Sequence, residues 1–287
     1  MINFNGTLEF QNQELTANRA FKYGDAIFET LKVVNGHILF LEDHYFRLMA
    51  SMRVIRMEIP MEFTMEFLEA EVLKLIKQLD LVNSPARVRI TVYRTAEGLY
   101  TPENNDVSYV VEAKSLKDEL YQLNDATCEV DLFKDHYITP QLLSTLKTNN
   151  RVLNVIAGIF AKENDLDNCL LLNSNKQVVE AINGNIFLVK GTTIKTPPLV
   201  DGCIKGIMRM QLIQLISKME GFELEESSIS PFELQKADEL FTTNVIQGIT
   251  SVSKYRKKEF GTSVASELTA LLNRHITPSL KLGSQVR

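Results

Sequence analysis

The sequence predicts a protein of mixed α/β structure with two domains. The chain has 287 residues, which exceeds the roughly 100–200 residues of an average domain. Strand-like and helix-like patterns alternate in both halves of the chain, which favours mixed layers of helices and sheets. Hydrophobic residues make up 45% and charged residues 23% of the sequence, as in ordinary globular proteins that bury an apolar core.

The first half begins with an antiparallel hairpin. The strand-like runs AIFETLKVV and HILFL are joined by Asn35-Gly36, a dipeptide that favours a tight turn because both residues tolerate positive φ. Two helices are predicted next, over LEDHYFRLMASMRVIRM and MEFTMEFLEAEVLKLIKQL, the second with apolar residues at helical spacing. The runs ARVRITVYR and VSYVVEA return to strand, so we expect both helices to cover one face of a sheet.

A polar stretch, KSLKDELYQLNDA, separates the two halves and is the best candidate for a linker. We predict a smaller N-terminal α/β domain over residues 1–118, a linker over 119–124 and a larger C-terminal α/β domain over 125–287. The second domain is predicted to contain, in order, the helix NNRVLNVIAGIFAKEN, the strands CLLLN, QVVEAI, NIFLV and TTIKT, the helix IKGIMRMQLIQLISKM, the strand ELFTTN and a helix near Ser263 to Arg274.

Charge and composition exclude several classes of function. A net charge of −5 provides no basic field for nucleic acid, so no such partner is expected. The N-terminus lacks a signal-peptide pattern, and no apolar run approaches the roughly 18 residues that span a bilayer. We therefore expect a cytoplasmic protein without a membrane partner, in which Cys128, Cys169 and Cys203 are reduced.

Signatures of several other chemistries are absent from the sequence. It contains no G-x-G-x-x-G, no G-x4-G-K-[ST] and no G-x-S-x-G pattern, so nucleotide binding and serine hydrolysis are not indicated. The three cysteines and four histidines are too scattered for metal-ligand spacing. We expect no metal site.

Three charged residues lie where both a surface role and a catalytic role fit. Lys147 follows the apolar run LLSTL, so it is either a surface lysine at a strand end or a partly desolvated amine suited to imine chemistry. Glu180 lies between two apolar strand segments. It is either a solvated residue at a strand end or the partner of a buried cation. Arg47 and His44 share a helix face at i, i+3, and the alternative to a binding role is a solvated face.

Two turns offer N–H groups to an anion. Gly206 precedes a helix with a continuous apolar stripe, and the first-turn N–H groups of such a helix suit a phosphate. The run FTTNVIQGIT places hydroxyl and N–H groups in a turn after a strand. A buried helix with a glycine entry and an ordinary loop are the alternative interpretations.

Together these groups meet the requirements of pyridoxal 5'-phosphate: an amine, a carboxylate for the pyridine nitrogen, and donors for the phosphate. The sequence resembles the class IV aminotransferase family, the fold-type IV pyridoxal-phosphate enzymes, which include branched-chain aminotransferases, D-amino-acid transaminases and aminodeoxychorismate lyases. The resemblance covers nearly the whole chain, and its motifs follow the family's order: NRAFKYGDAIFETLKV, LEDHYFRLMAS, LSTLKTNNRVLN, VVEAINGNIFLV, TPPLVDGCIKGIMR and LQKADELFTTNVIQGIT. It implies the two-domain fold of D-amino-acid aminotransferases, with the cofactor in the interdomain cleft and bound mainly by the C-terminal domain.

The resemblance also implies a role for each candidate residue. Lys147 matches the Schiff-base lysine, which also moves the proton between Cα and C4′. Glu180 matches the carboxylate that faces the pyridine nitrogen, and Arg47 matches the phosphate-binding arginine. Further cofactor contacts correspond to the turn and helix residues Gly206, Ile207, Met208, Asn244 and Val245.

Three residues are candidates for the substrate side of the site. Tyr23 and Phe28 match family residues that line the substrate side of the cofactor. Arg89 lies on the strand ARVRITVYR with Arg87 and Arg94, and it is a candidate for the substrate carboxylate, with a solvated strand arginine as the alternative.

The resemblance implies transamination between an amino acid and a 2-oxo acid by a homodimer, in which a neighbouring subunit's loop completes the pocket. The letters Asn150-Arg151 after Lys147 are closer to the aminodeoxychorismate lyases and to some D-amino-acid-type members, whereas YRTAEGLYTPE stands where the lyases often carry an Arg-Gly-x-Gly-x-Arg-Gly run. A lyase that releases pyruvate and 4-aminobenzoate is the alternative. A non-catalytic module that retains the fold is a further alternative.

Overall fold

The computed structural model describes residues 1–9 and 18–283. The chain divides into two compact units. The first contains Met1–Glu119, Lys147–Asn150 and the described part of Ile276–Arg287, and the second contains Leu120–Leu146 and Arg151–His275. The four residues that begin at Lys147 are therefore grouped with the N-terminal half of the chain, which a single linear boundary does not anticipate.

The first unit is built on a six-stranded antiparallel sheet with the order β2-β1-β6-β5-β3-β4. Its strands are β1 Ile2–Phe4, β2 Thr7–Glu9, β3 Ala26–Val34, β4 His37–Ile38, β5 Ala86–Arg94 and β6 Val107–Ser115. The predicted hairpin is confirmed, since Asn35 and Gly36 have φ of 50° and 73° between β3 and β4.

Two long helices cover one face of this sheet, as the sequence predicts. The helices of the first unit are α1 Arg19–Tyr23, α2 Leu41–Val54 and α3 Met65–Gln78. Alternate residues of β3, such as Ile27 and Leu31, share one apolar core with Leu48 of α2 and Val72 of α3. Glu29 lies between those two β3 residues on the same side of the strand, because side chains alternate along a strand.

The second unit contains a larger mixed sheet. Its strands are β7 Glu129–Ile138, β8 Asn168–Asn173, β9 Val178–Ala181, β10 Gly184–Lys190, β11 Thr193–Thr196, β12 Glu223–Glu226, β13 Glu239–Asn244, β14 Gly248–Val252, β15 Lys254–Tyr255 and β16 Lys258–Glu259. The main path runs β12-β11-β10-β9-β8-β7-β15-β16, and β13 pairs with both β10 and β14. Sequence analysis missed β7, whose polar outer residues break the apolar pattern.

The helices of the second unit pack beside this sheet. They are α4 Val152–Glu163, α5 Ile207–Ile216, α6 Pro231–Leu234 and α7 Ser263–Gly283, with short 3-10 helices over Leu142–Thr145 and Leu199–Asp201. The last helix extends beyond its predicted end at Arg274. The prediction of a strand before Lys147 is wrong: the run is a 3-10 turn in which Ser144 Oγ donates to Gln141 O at 2.6 Å.

No helix within the described residues combines the length and the apolar character needed to cross a bilayer. Over the same ranges, no three His, Cys, Asp or Glu side chains gather in a way that suits a metal ion. All three cysteines are buried free thiols.

Candidate active site

Lys147 lies against the first strand of the N-terminal hairpin. The Phe28 N–H donates to Lys147 O at 2.9 Å, and the Asn149 N–H donates to Ala26 O at 2.9 Å. These hydrogen bonds form a short antiparallel bridge between Ile27 and Thr148. The lysine is therefore held by β3 through its main chain.

The side chains of Lys147 and Arg89 contact the same aromatic ring. Lys147 Nζ lies 4.3 Å from the centre of the Phe28 ring, and Arg89 Cζ lies 3.7 Å from it. Arg89 is also held by hydrogen bonds from Nη2 to Asn149 Oδ1 at 2.9 Å and from Nε to Thr91 Oγ1 at 3.0 Å. The structure thus brings together three residues that sequence analysis selected separately.

Arg47 does not lie on a solvated helix face. Its side chain is 11% exposed, and it pairs with the buried carboxylate of Glu29. His44, one turn earlier on α2, contacts the same carboxylate. The solvated-face interpretation of this pair is wrong, because the face is turned toward β3.

Tyr23 is at the end of α1 and remains partly exposed. Its ring lies 5.5 Å from the ring of Tyr100, and the guanidinium of Arg19 lies 5.0 Å from its centre. Arg19 also pairs with Asp25 at 2.8 Å. Tyr23 is thus fixed by neighbours on two segments of the first unit.

Glu180 is a buried carboxylate on β9 of the second unit. It is 3% exposed, and its Oε2 accepts the Ile204 N–H at 2.8 Å. Arg151 lies near enough for its charge to act on this carboxylate: burial lowers the pKa of the Arg151 guanidinium, and Glu180 raises it. The solvated-strand-end interpretation of Glu180 is wrong.

Gly206 is the residue immediately before α5, and the space beside it is already filled. A Cβ at this position would lie 2.0 Å from Asn185 Oδ1. Asn185 also holds the segment that precedes α5, because its Nδ2 donates to Ile204 O at 2.8 Å. The first-turn N–H groups, including those of Ile207 and Met208, cannot be satisfied within the helix.

The turn after β13 satisfies much of its own polarity. Asn244 Oδ1 accepts the N–H groups of Ile246 and Gln247 at 3.0 and 2.9 Å. Tyr121 Oη donates to Val245 O at 2.8 Å. The Asn244 side chain therefore holds the turn in shape.

Strand register gathers the candidate residues of the second unit around Asn185. This residue is paired with Glu180 on β9 and with Thr243, the neighbour of Asn244, on β13. Its side-chain oxygen occupies the space beside Gly206. A carboxylate, a helix N-terminus and a tight turn thus surround one buried amide.

These residues fit a phosphorylated pyridine cofactor. The close approach at Gly206 leaves no room for a side chain beside the α5 N-terminus, where a phosphate is favoured by N–H groups and by the helix dipole. The first unit carries an arginine at 47 and an amine at 147, and the second unit carries a carboxylate at 180, which are the other residue types that such a cofactor requires.

Sequence analysis missed Glu29 and Asn185. The signal for Glu29 was a lone charge inside the apolar strand AIFETLKVV, and the signal for Asn185 was an amide at the start of NIFLV. Buried polar groups of this kind require partners. The partners, however, are distant in sequence and only the fold identifies them.

Replacing Gly206 by alanine is expected to destabilise the protein by about 1–3 kcal/mol, the usual cost of overpacking, because the new methyl group must displace the Asn185 amide. Urea denaturation measures the change. Gly158→Ala in α4 is the matched control, since nothing lies within 4 Å of the added methyl group. We expect Gly158→Ala to be neutral or stabilising. Equal effects of the two substitutions would contradict the packing at Gly206.

Comparisons with known proteins identify the family of this chain. A family model described as amino-transferase class IV matches residues 26–255. A putative branched-chain-amino-acid aminotransferase of Methanocaldococcus jannaschii is 28% identical over 250 residues, covering 87% of this chain and 85% of the relative. An aminodeoxychorismate lyase of Vibrio harveyi is 26% identical over 245 residues, covering 82% of this chain and 85% of the relative.

A solved structure shares the fold. The crystal structure of a branched-chain aminotransferase from Thermoproteus uzoniensis with norvaline superposes with a TM-score of 0.84 at 23% identity, covering 96% of this chain and 93% of that one. The family to which the sequence motifs pointed is confirmed, as is the fold-type IV architecture. The chain belongs to the class IV aminotransferase family and is a pyridoxal-phosphate-dependent aminotransferase.

Proposed function

We propose that this enzyme uses Lys147, Arg47, Glu180 and the N-terminus of α5 to transfer an amino group between an amino acid and a 2-oxo acid. The observation that carries the proposal is the position of Lys147. Its main chain is held by β3, and its amine lies with Arg89 at the Phe28 ring. Transamination requires an amine that accepts and donates protons. It also requires a nearby cation that can bind the carboxylate of the substrate.

Pyridoxal phosphate supplies an electron sink for the carbanion that forms when a substrate loses its Cα proton. Lys147 has two tasks in the proposal. Its Nζ would hold the cofactor covalently, and the same amine would move the proton between Cα and C4′. The hydrogen bonds at Phe28 and Asn149 fix the backbone from which this side chain swings.

Three groups anchor the phosphate in this proposal. Arg47 supplies a planar fork of N–H donors, which suits phosphate oxygens better than a lysine would. The N–H groups of Ile207 and Met208, behind Gly206, add the α5 N-terminus. The turn at Asn244 and Val245 contributes backbone groups, and the Asn244 side chain maintains its shape.

Glu180 is assigned to the pyridine nitrogen. An ionised carboxylate there holds a proton on that nitrogen, which keeps the ring able to accept electrons. Its hydrogen bond from Ile204 at 2.8 Å orients one oxygen. The guanidinium of Arg151 lies close enough to interact electrostatically with this carboxylate.

Arg89 is assigned to the substrate carboxylate, with Tyr23 and Phe28 lining the same side. Support comes from the contact of Arg89 with Phe28 at 3.7 Å and from its bond to Asn149, two residues after Lys147. A guanidinium matches a carboxylate in shape and charge. Phe28 would keep the methylene part of the lysine side chain away from water.

A lyase reaction is the second candidate. It is favoured by Asn150-Arg151, which resembles the lyases, and by the similarity to the Vibrio harveyi lyase. Both reactions would require the same residues to hold the cofactor and to accept the Cα proton, and they would differ in whether a proton is returned or a leaving group departs. Lys147, Glu180 and Arg47 serve both, so these residues do not distinguish the reactions.

The test is a donor screen with stoichiometric enzyme. Cofactor-loaded protein is mixed with single L- and D-amino acids, and conversion to the pyridoxamine form is followed by absorbance. We expect at least one donor to convert the enzyme and a 2-oxo acid to reverse the change. No conversion by any donor, together with catalytic release of pyruvate from aminodeoxychorismate, would overturn transamination in favour of the lyase.

A homodimer is part of the proposal. Val152, Val155 and Ile159 are all exposed along one stripe of α4, whose other side carries the buried residues Ala157 and Ala161. The apolar Leu142 and Leu143, just before Lys147 in the sequence, are exposed as well. Exposed apolar patches of this kind commonly mark protein interfaces, and a second copy is the partner we propose.

Light scattering after size exclusion should give twice the chain mass of 32.6 kDa. Val155→Glu is expected to shift the protein toward monomer, because it places a charge in the apolar stripe. Phe232→Glu is the matched control, since Phe232 is an exposed aromatic residue on α6. An unchanged mass for Val155→Glu at micromolar concentration would refute α4 as the interface.

We also propose a cytoplasmic location. The support is that Cys128, Cys169 and Cys203 are free, buried thiols, as is usual in a reducing compartment. Cell fractionation with antibody detection tests this assignment.

A further inference from the structure

A carboxylate is buried in the core-facing side of β3. Glu29 is 2% exposed and lies in a strand in which every residue is buried. An isolated ionised carboxylate in such surroundings would be very costly. Glu29 therefore requires cationic or hydrogen-bonding partners, and α2 supplies them.

Arg47 binds Glu29 through one complete edge of its guanidinium. Nε lies 2.7 Å from Glu29 Oε1, and Nη2 lies 2.6 Å from Glu29 Oε2. Both carboxylate oxygens are thus used in a parallel, two-bond arrangement, which fixes the plane of the guanidinium as well as its position. A guanidinium has a second edge of this kind, formed by Nη1 and Nη2, which shares Nη2 with the edge that binds Glu29.

His44 completes the arrangement from the preceding turn of α2. Its Nδ1 lies 2.7 Å from Glu29 Oε2, and the ring is 2% exposed. Burial lowers the pKa of His44, although Glu29 raises it. In the neutral ring, Nδ1 carries the hydrogen and donates to the carboxylate.

The carboxylate is ionised in this environment. Burial alone would raise the pKa of Glu29, but the charges and hydrogen bonds of Arg47 and His44 outweigh burial and lower it to about 2. Glu29 is therefore a permanent anion at neutral pH. Arg47 and His44 both contact this carboxylate, and all three side chains come from β3 and α2.

We infer that Glu29 is a positioning residue for the phosphate site: it holds one edge of Arg47 so that the other edge is presented to the phosphate of the cofactor. The inference rests on the proposed role of Arg47 in phosphate binding. His44 supports it by fixing the carboxylate that Arg47 binds. Neither Glu29 nor His44 touches the phosphate in this arrangement.

The physical benefit is preorganisation. A free arginine side chain has several rotatable bonds, and ordering it on binding lowers affinity. With Glu29 in place, that ordering is complete before the cofactor arrives. The carboxylate also has an opposing effect, since its negative charge weakens the field of Arg47. The sign of the mutational effect decides which of the two dominates, and we expect positioning to dominate because the pair is bidentate and buried.

The experiment compares two ligands that differ only in the phosphate. Dissociation constants for pyridoxal phosphate and for pyridoxal are measured by absorbance and fluorescence in wild type, Glu29→Gln and Arg47→Ala. Glu29→Gln keeps the shape and removes the charge. We expect Glu29→Gln to lower the affinity for pyridoxal phosphate at least about tenfold and to change the affinity for pyridoxal by no more than about twofold, because only phosphate binding depends on Arg47.

A double variant tests whether Glu29 acts through Arg47. If it does, Glu29→Gln adds little to the loss caused by Arg47→Ala, because the two effects are not independent. Glu29→Asp provides a variant that keeps the charge but retracts the carboxylate by one methylene, and it remains informative if the Gln variant folds poorly. We expect Glu29→Asp to lose affinity for the phosphorylated ligand only.

Several results would overturn the inference. Equal losses for both ligands would indicate a general structural role, and unchanged or tighter binding of pyridoxal phosphate by Glu29→Gln and Glu29→Asp would show that the carboxylate only screens Arg47. Fully additive losses in the double variant would also refute it. If wild type binds neither ligand, or Arg47→Ala does not discriminate between them, the proposed function of Arg47 fails instead.

Discussion

Replacing Lys147 by alanine is expected to lower the turnover number for transamination at least about a thousandfold, because one substitution removes both the covalent anchor and the proton carrier. Positioned acid–base groups alone contribute about 10²- to 10⁴-fold, and the covalent role adds to this. Stopped-flow absorbance of loaded enzyme with a single dose of donor measures the rate. Borohydride reduction followed by mass spectrometry should label the peptide that contains Lys147 in wild type and not in the variant.

The fold should tolerate this substitution. The bonds that tie the segment to β3 involve main-chain atoms of Lys147 and Asn149, and alanine keeps them. Lys134→Ala, at an exposed position on β7, is the matched control and should retain wild-type rates. Retention of borohydride labelling in Lys147→Ala, or an equal loss in Lys134→Ala, would refute the assignment of the amine.

Replacing Glu180 is expected to lower turnover at least about a hundredfold, in line with the loss of one charged group from a preorganised site. The affinity for the cofactor should change only a few-fold, since the phosphate anchors are intact. Glu180→Ala removes the side chain, whereas Glu180→Gln retains an oxygen that can accept the Ile204 N–H. Both remove the charge that, in the proposed function, would hold a proton on the pyridine nitrogen.

Turnover and cofactor dissociation constant are measured in parallel for both variants. Glu225→Gln, an exposed carboxylate on β12, is the control for loss of a negative charge. Losses of similar size in turnover and in cofactor affinity would contradict an electronic role for Glu180. So would wild-type turnover in Glu180→Gln, since the amide cannot favour a protonated nitrogen as a carboxylate does.

Local patterns predicted most of the secondary structure. The strands ARVRITVYR and ELFTTN were predicted with the bounds that the structure has, Ala86–Arg94 and Glu239–Asn244, because their apolar or β-branched content and flanking turns leave little choice. Near Lys147 the pattern was misleading. LLST is apolar enough for a strand, yet Leu142 and Leu143 are exposed in a 3-10 turn, where local polar bonds replace a sheet partner.

The candidate residues were predictable as a set rather than one by one. Lys147 and Glu180 each had an ordinary surface interpretation, and their order along the chain pointed to one family. The supporting residues were not predictable in the same way. Glu29 binds side chains that are 15 and 18 positions away. Asn185 on β10 is placed between Glu180 and Thr243 by the pairing of β10 with β9 and β13. Such partners are set by tertiary structure, which no local pattern contains.

The grouping of Lys147–Asn150 with the N-terminal half has a consequence for dissecting the enzyme. A fragment ending at residue 119 would contain Arg47, Arg89 and the Phe28 ring but not Lys147, the proposed nucleophile. A fragment starting at residue 120 would contain Lys147 without the strand whose hydrogen bonds hold it. Lys147 is thus encoded in one half of the chain and positioned by the other, so neither fragment retains the contacts between Lys147 and β3.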